Sequence, residues 1–246
     1  MEKHELNDIY GKAILDYYHG KNVSITTYSS VGGKDELPVE HLFRSFDKMP
    51  DIEQVALSMS TGKVLDLGCG AGSHSLYLQG KNHEVKSIDI SQGAIDVCLK
   101  RGLKNAEVID LWDLKGQKFD TILSLMNGAG ICGSLDKLAD LMVHLKSLLR
   151  PKGQILIDSS DIIYMFEDEE GEVDLPDEDH YYGEVEFDLQ YNGEKSGAFP
   201  WLYIDYYNLK HYAEEAGFRC KLVRQGDHYD YLARLTIDAE DKANFS

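Results

Sequence analysis

The sequence predicts an α/β protein built on a doubly wound, mostly parallel sheet. Three observations carry that expectation. Short apolar runs alternate with helix-patterned segments from Lys63 to Asp158, the form of successive strand–helix–strand units. A glycine-rich turn joins the first apolar run to the first helix of that series. With 246 residues, 43% of them apolar, the chain has enough material for the core of one domain with additions.

Taken in order, Leu6, Ile9, Ala13, Ile14 and Tyr17 recur at helical spacing before Gly20 and predict an amphipathic first helix. A stretch rich in Ser, Thr, Gly and Asp follows from Ser24 to Pro38, the composition of a loop. Helices are expected over Val39 to Asp47 and Asp51 to Ser60, so residues 1–60 read as a helical cap on a main unit spanning 61–246. The alternating region then gives strands at Lys63–Leu67, Glu84–Ile88, Ala106–Ile109, Phe119–Leu125 and Gly153–Asp158. Helices fall between them at Ser73–Gln79, Gln92–Lys100 and Leu135–Leu149, the last stopped by Pro151 and Gly153.

After the fifth strand the alternation breaks. Residues 161–204 form an insertion that opens on an acidic run from Glu167 to Asp179, an exposed loop by composition. Tyr182–Gln190 alternates glutamate with apolar residues and is separated from Gly197–Tyr203 by Asn192 and Gly193, which predicts a hairpin. A helix over Tyr206–Glu215 ends at Gly217, and strands at Phe218–Arg224 and Tyr231–Ile237 close the chain.

Bulk properties narrow the function. A formal net charge of −18 disfavours nucleic acid and anionic membranes, which need cations to displace counterions, and leaves neutral or cationic small molecules as compatible partners. The N-terminus lacks an uninterrupted apolar core and no run of about 18 apolar residues occurs, so a cytoplasmic protein is expected. Cys69, Cys98, Cys132 and Cys220 stand far apart without C-x-x-C spacing and read as buried free thiols, and no metal-ligand cluster is visible.

The chemistry lies in KVLDLGCGAGSHSLYL. Asp66 ends an apolar strand, and Gly68, Cys69, Gly70 and Gly72 form a turn of bare backbone before a helix start. Such a turn lets a ligand approach the main chain, and the free amides of the helix start suit a carboxylate. A dinucleotide site also begins with a glycine turn, but here Ser73 occupies its third glycine position and Asp66 would repel a pyrophosphate while receiving an ammonium. Asp89, with Ile90 beside it, ends the second strand about 20 residues on, where a carboxylate bonds ribose hydroxyls. Asp110 ends the third strand, placed to accept from an adenine amino group, with Leu111 and Trp112 beside the ring.

These residues resemble class I S-adenosylmethionine-dependent methyltransferases over about 60–160, and more loosely to the end, with DLGCGAG similar to that family's first motif. The resemblance implies that Asp66 lies near the methionine moiety, that Gly68, Gly70 and Gly72 pass beneath it, that Asp89 holds ribose and that Asp110 contacts adenine. It also implies a Rossmann-like sheet of seven strands whose last strand runs antiparallel, with S-adenosylmethionine as donor and S-adenosylhomocysteine as product. Where enzymes that methylate bases carry Asp or Asn before Pro-Pro-aromatic, this chain has MNGAGICG and keeps only Asn127, which speaks against base methylation.

Further candidates follow from position. Asn127 lies at the end of the fourth strand, where ligands of open sheets sit, and His74 follows the glycine turn. The two additions are expected to hold a small-molecule methyl acceptor, with Tyr17, Tyr18 and Tyr28 from the cap and Tyr164, His180, Tyr181 and Trp201 from the insertion; each is also a natural core residue of its own addition. His180, Asp161 and His74 are the acid–base candidates, although methyl transfer from a sulfonium needs a base only when the acceptor is protonated. The expected activity is methyl transfer to N, O or C of a small molecule by a monomer or homodimer. The alternatives are a silent donor-sensing or partner protein, an aminopropyl-type transferase and a nicotinamide-dependent dehydrogenase.

Overall fold

The computed structural model describes residues 7–168, 170–175 and 180–237. Leu6 of the expected first helix, and Glu169 and residues 176–179 of the acidic run, lie outside the described residues. The chain opens with helix α1 (Ile9–Tyr18), whose N-cap Asp8 accepts from the Gly11 amide. The expected loop that follows is instead a hairpin of β1 (Ser24–Ser29) and β2 (Gly33–Pro38). Its polar composition reflects exposure: β2 keeps one half-buried residue among six. The helix expected over Val39–Asp47 resolves into two 3-10 turns, Val39–Phe43 and Phe46–Lys48, before α2 (Asp51–Met59).

The alternating region folds as its pattern requires. β3 (Lys63–Leu67), α3 (Ser73–Gly80), β4 (Glu84–Asp89), α4 (Gln92–Lys100), β5 (Ala106–Val108), β6 (Phe119–Ser124), α5 (Leu138–Leu148) and β7 (Leu149–Ser160) follow in turn. β7 starts four residues earlier than its apolar core suggests, running through Pro151 and Gly153 with an irregular register against β6. The insertion supplies β8 (Glu184–Tyr191), β9 (Glu194–Lys195) and β10 (Phe199–Leu202), and α6 (Tyr206–Glu215), β11 (Arg219–Gln225) and β12 (Asp230–Thr236) close the fold.

The main sheet has the order β11-β12-β7-β6-β3-β4-β5, with β12 antiparallel to both neighbours. Its core gathers Leu65, Phe119, Ile122, Leu141, Leu145, Ile155 and Leu235, all fully buried. A second sheet, β10-β8-β1-β2 with β9 beside β8, joins the N-terminal hairpin to the insertion. The first 60 residues are therefore not a purely helical cap. They exchange strands with the insertion, and both additions meet over the same end of the main sheet.

α1 docks on α4 through a pair of glycines. A Cβ on Gly93 would lie 2.6 Å from the Gly11 carbonyl, a separation that backbone cannot tolerate. Asp8 strengthens the contact by accepting the Gly93 amide at 3.0 Å. We expect Gly93→Ala to cost about 1–3 kcal/mol in a urea melt, the usual penalty of overpacking, and to loosen α1 with it.

Candidate functional site

The glycine turn sits between β3 and α3 at the carboxyl edge of the main sheet. Gly68 and Gly70 have φ of +63° and +51°, which a side chain would strain, and a Cβ on either would meet nothing within 4 Å. Bare backbone thus faces open space, as a cradle for a ligand requires. The recess above it is lined by Leu67, Gly68, Cys69, Gly70, Ala71, Ser73 and His74, by Leu125 and Met126 from the end of β6, and by Tyr10, Leu42 and Arg44 from the N-terminal segment.

Asp89 is bound into this wall. One carboxylate oxygen accepts the Gly70 amide at 2.9 Å and the other the Ser91 amide at 2.9 Å, which fixes the carboxylate and ties the turn to α4. Burial raises its pKa against those two amides. Ile90, next to it, is 67% exposed, an apolar side chain set out at the ligand edge. Tyr10 faces Asp89, and burial followed by that carboxylate pushes its hydroxyl pKa up.

Asp66 takes a different place from the one expected of an ammonium receptor. It is buried beneath the turn, where its Oδ2 accepts the Ser75 hydroxyl at 2.6 Å, and Ser75 also meets Ser87 at 2.6 Å. Its carboxylate braces the first turn of α3 rather than lining the recess. Asp110 accepts the Trp112 amide at 3.0 Å and stays half-exposed. Leu111 is buried in the main core, whereas Trp112 is partly exposed and tilted against His144. Gly72 caps α3 and packs toward Cys98 and Leu103, behind the recess.

Sequence reasoning missed Arg44, whose signal was only a cation in a short cap segment. It is 9% exposed and ion-pairs with Glu53, which is itself 3% exposed and meets His74 Nε2 at 2.8 Å. Another Arg44 nitrogen donates to the His41 carbonyl, while Nε is buried without a partner. Arg44 also lines the recess and brings a cationic side chain to it. Burial would pull the His74 pKa down, but the Glu53 hydrogen bond and the Asp66 and Glu53 charges together raise it. These interactions favour the protonated form of His74.

Asn127 adopts a left-handed conformation, φ +58°, and its Oδ1 accepts the Ser160 hydroxyl at 3.0 Å. The acceptor candidates do not all converge. Tyr17 packs on Phe43 and borders an outer groove that shares Arg44 with the recess. Tyr18 bonds the Lys100 carbonyl on the outside, and Tyr28 bonds Gln190 within the second sheet. Tyr181 bonds Asp205, Tyr182 bonds Asp161, and Tyr164 stacks on Tyr229 at 4.9 Å. Trp201 lies against Gly130, where a Cβ would strike its indole. His180 is exposed at the start of the hairpin segment.

The four cysteines are buried and free, with the Cys69 and Cys98 sulfurs 3.9 Å apart. Among the described residues no group of three or more His, Cys, Asp or Glu gathers as a metal site, and no helix is long and apolar enough to cross a membrane.

Comparison with known proteins shows the family and the fold. A family model described as a methyltransferase domain matches residues 58–217. A solved structure of an S-adenosylmethionine-dependent methyltransferase from Bacteroides fragilis, in complex with S-adenosyl-L-homocysteine, is 46% identical, with 94% of each chain covered and a TM-score of 0.87. A sugar N-methyltransferase from Streptoalloteichus shares the fold at 14% identity, covering 76% of this chain and 85% of its own, with a TM-score of 0.54. An amino pentose methyltransferase from Micromonospora echinaspora does so at 15%, covering 81% and 94%, with a TM-score of 0.54.

Proposed function

The chain belongs to the methyltransferase-domain family of S-adenosylmethionine-dependent enzymes, and from that premise we propose that it methylates N, O or C of a small molecule. One observation supports the reading: the recess over the glycine turn is walled by the chain's own Tyr10, Leu42 and Arg44, so the N-terminal segment narrows access to the turn. The charge of −18 supports it by opposing nucleic acid.

In this reading the Gly68–Ala71 backbone supports the donor, Asp89 holds its ribose, and Ile90 and Trp112 border its base near Asp110. Arg44, a cation in the lining of the recess, suits the donor carboxylate, which favours the full amino-acid donor over the decarboxylated donor of an aminopropyl transferase. When bound, the donor's sulfonium supplies an activated methyl group for in-line displacement. The protein's part is to orient the acceptor and exclude water, and proximity alone can contribute much of the rate. Asp161, already holding the Tyr182 hydroxyl at 2.7 Å, is the carboxylate at the insertion best placed to orient a hydroxyl or amine.

The test is incubation with methyl-labelled donor and panels of small amines, hydroxyl compounds and carbon acids, counting label in the small-molecule and protein fractions separately. Label in a small molecule supports the proposal. Label only in protein, or slow donor turnover with every acceptor, favours protein methylation or a donor-sensing role.

A further inference from the structure

We propose that Asp158 is a positioning residue for methyl transfer: its carboxylate clamps the left-handed Met126–Asn127 turn that forms one wall of the donor recess. The inference rests on the donor reading above and adds a residue to it. Asp158 lies near the end of β7, beside the turn that leaves β6. Its Oδ2 accepts the Met126 amide at 3.0 Å and its Oδ1 the Gly128 amide at 3.0 Å, so the two bonds bracket Asn127.

The turn needs such a clamp. Met126 and Asn127 have φ of +65° and +58°, where L side chains crowd the backbone, and consecutive residues persist there only when their surroundings over-determine them. Two further bonds act in the same place. Ser160, two residues past Asp158, donates to the Asn127 side chain at 3.0 Å, and Ser124 donates to the Gly128 carbonyl at 3.0 Å. Met126 reaches the recess with Leu125, whereas Asp158 is buried behind the turn. Asp158 therefore acts through the turn, and a shift of the turn moves the recess wall.

The clamp is also sensitive to pH. Burial pushes Asp158 up to about 7, against the Gly128 and Met126 amides, which favour its ionised form. Ionised, the carboxylate offers both oxygens as acceptors; protonated, one of them carries a hydrogen and accepts less well. The charged groups that face it are Glu53 from α2, which opposes its ionisation, and His74 from α3, which favours it. Its partner on β12 is the apolar Leu232, and the turn contributes no charged side chain. The turn is thus held most firmly above neutral pH and loosens as pH falls.

The experiment follows the Met126 and Gly128 amide resonances of the full-length protein from about pH 5.5 to about 8.5. The dissociation constant of S-adenosylhomocysteine is measured over the same range in the native protein and in Asp158→Asn. Both amides should titrate together near neutrality, and the native protein should bind about five- to tenfold more tightly at the alkaline end. Asp158→Asn should lose that component, leaving only what His74 contributes, and bind about tenfold more weakly there. Native affinity in a folded Asp158→Asn at the alkaline end overturns the positioning role, and amides that do not titrate in this range overturn the pH sensitivity of the clamp. Amides that titrate while Asp158→Asn keeps the native pH profile overturn its link to the donor site. Absence of any binding by the native protein overturns the donor reading instead, and the amides still report on the clamp.

Discussion

Asp89→Ala should weaken S-adenosylhomocysteine binding by about two to three orders of magnitude. The carboxylate is fixed by the Gly70 and Ser91 amides at 2.9 Å each, so in the proposed donor site its remaining lone pairs receive the ribose without reorganisation. Each hydrogen bond to a charged group contributes about 1.5–3 kcal/mol, so two ribose hydroxyls account for about 3–6 kcal/mol, and the expected loss lies toward the lower end of that range. Alanine also frees the glycine turn from α4. Asp89→Asn keeps the shape and should retain part of the affinity. Isothermal titration of the three proteins checks the order, and equal affinity of the native and alanine forms would remove Asp89 from the site.

The largest effect on stability should come from Glu53. It sits between the Arg44 guanidinium and the His74 imidazole, all three buried, so Glu53→Leu leaves a buried arginine uncompensated and should cost about 3–5 kcal/mol. The double variant Glu53→Leu, Arg44→Met should recover most of that loss, because replacing both members of a buried pair with apolar groups is often neutral. Denaturant melts of the single and double variants decide it. If the losses simply add, the pair is not a unit.

The same groups set the sign of the pH dependence. His74 is raised above its ordinary 6.5, so its contribution is complete below that value and is lost as pH rises through the folded value. Glu53 is lowered below 4.5 because the His74 and Arg44 interactions outweigh the burial that opposes them, so its contribution is present above 4.5 and is lost only under stronger acid. Asp66, Asp89 and Asp158 are raised above 3.8, so the fold loses stability as pH rises from 3.8 through each folded value, about 7 for Asp158. The free protein should therefore melt higher at about pH 5.5 than at about pH 8, and the reverse order would contradict these assignments.

The sheet was legible because its signals are local. Apolar runs of strand length, glycines at their ends and helix stops such as Gly217 each report on a few neighbouring residues, and β3, α4 and α6 match their expected bounds. The β1–β2 hairpin was not legible, because its strands are polar on an exposed edge and are held by β8, more than 150 residues away. Arg44 and Glu53 escaped for the same reason: their partners come from separate segments, and nothing in a lone Arg or Glu marks it as buried. Asp66 and Leu111 were read as ligand residues from strand-end position, which says nothing of depth: both are buried, Asp66 on Ser75 and Leu111 in the main core. Asp158 carried no motif at all; only its two amide partners across the sheet distinguish it.

The account turns on what the recess binds. Calorimetric titration of the purified protein with S-adenosylmethionine, S-adenosylhomocysteine and NAD tests it most directly. It predicts roughly micromolar binding of the first two and no heat with NAD. Binding of NAD alone, or of neither thioether nor sulfonium, would contradict the assignment of the glycine turn, Asp89 and Arg44 to a methyl donor.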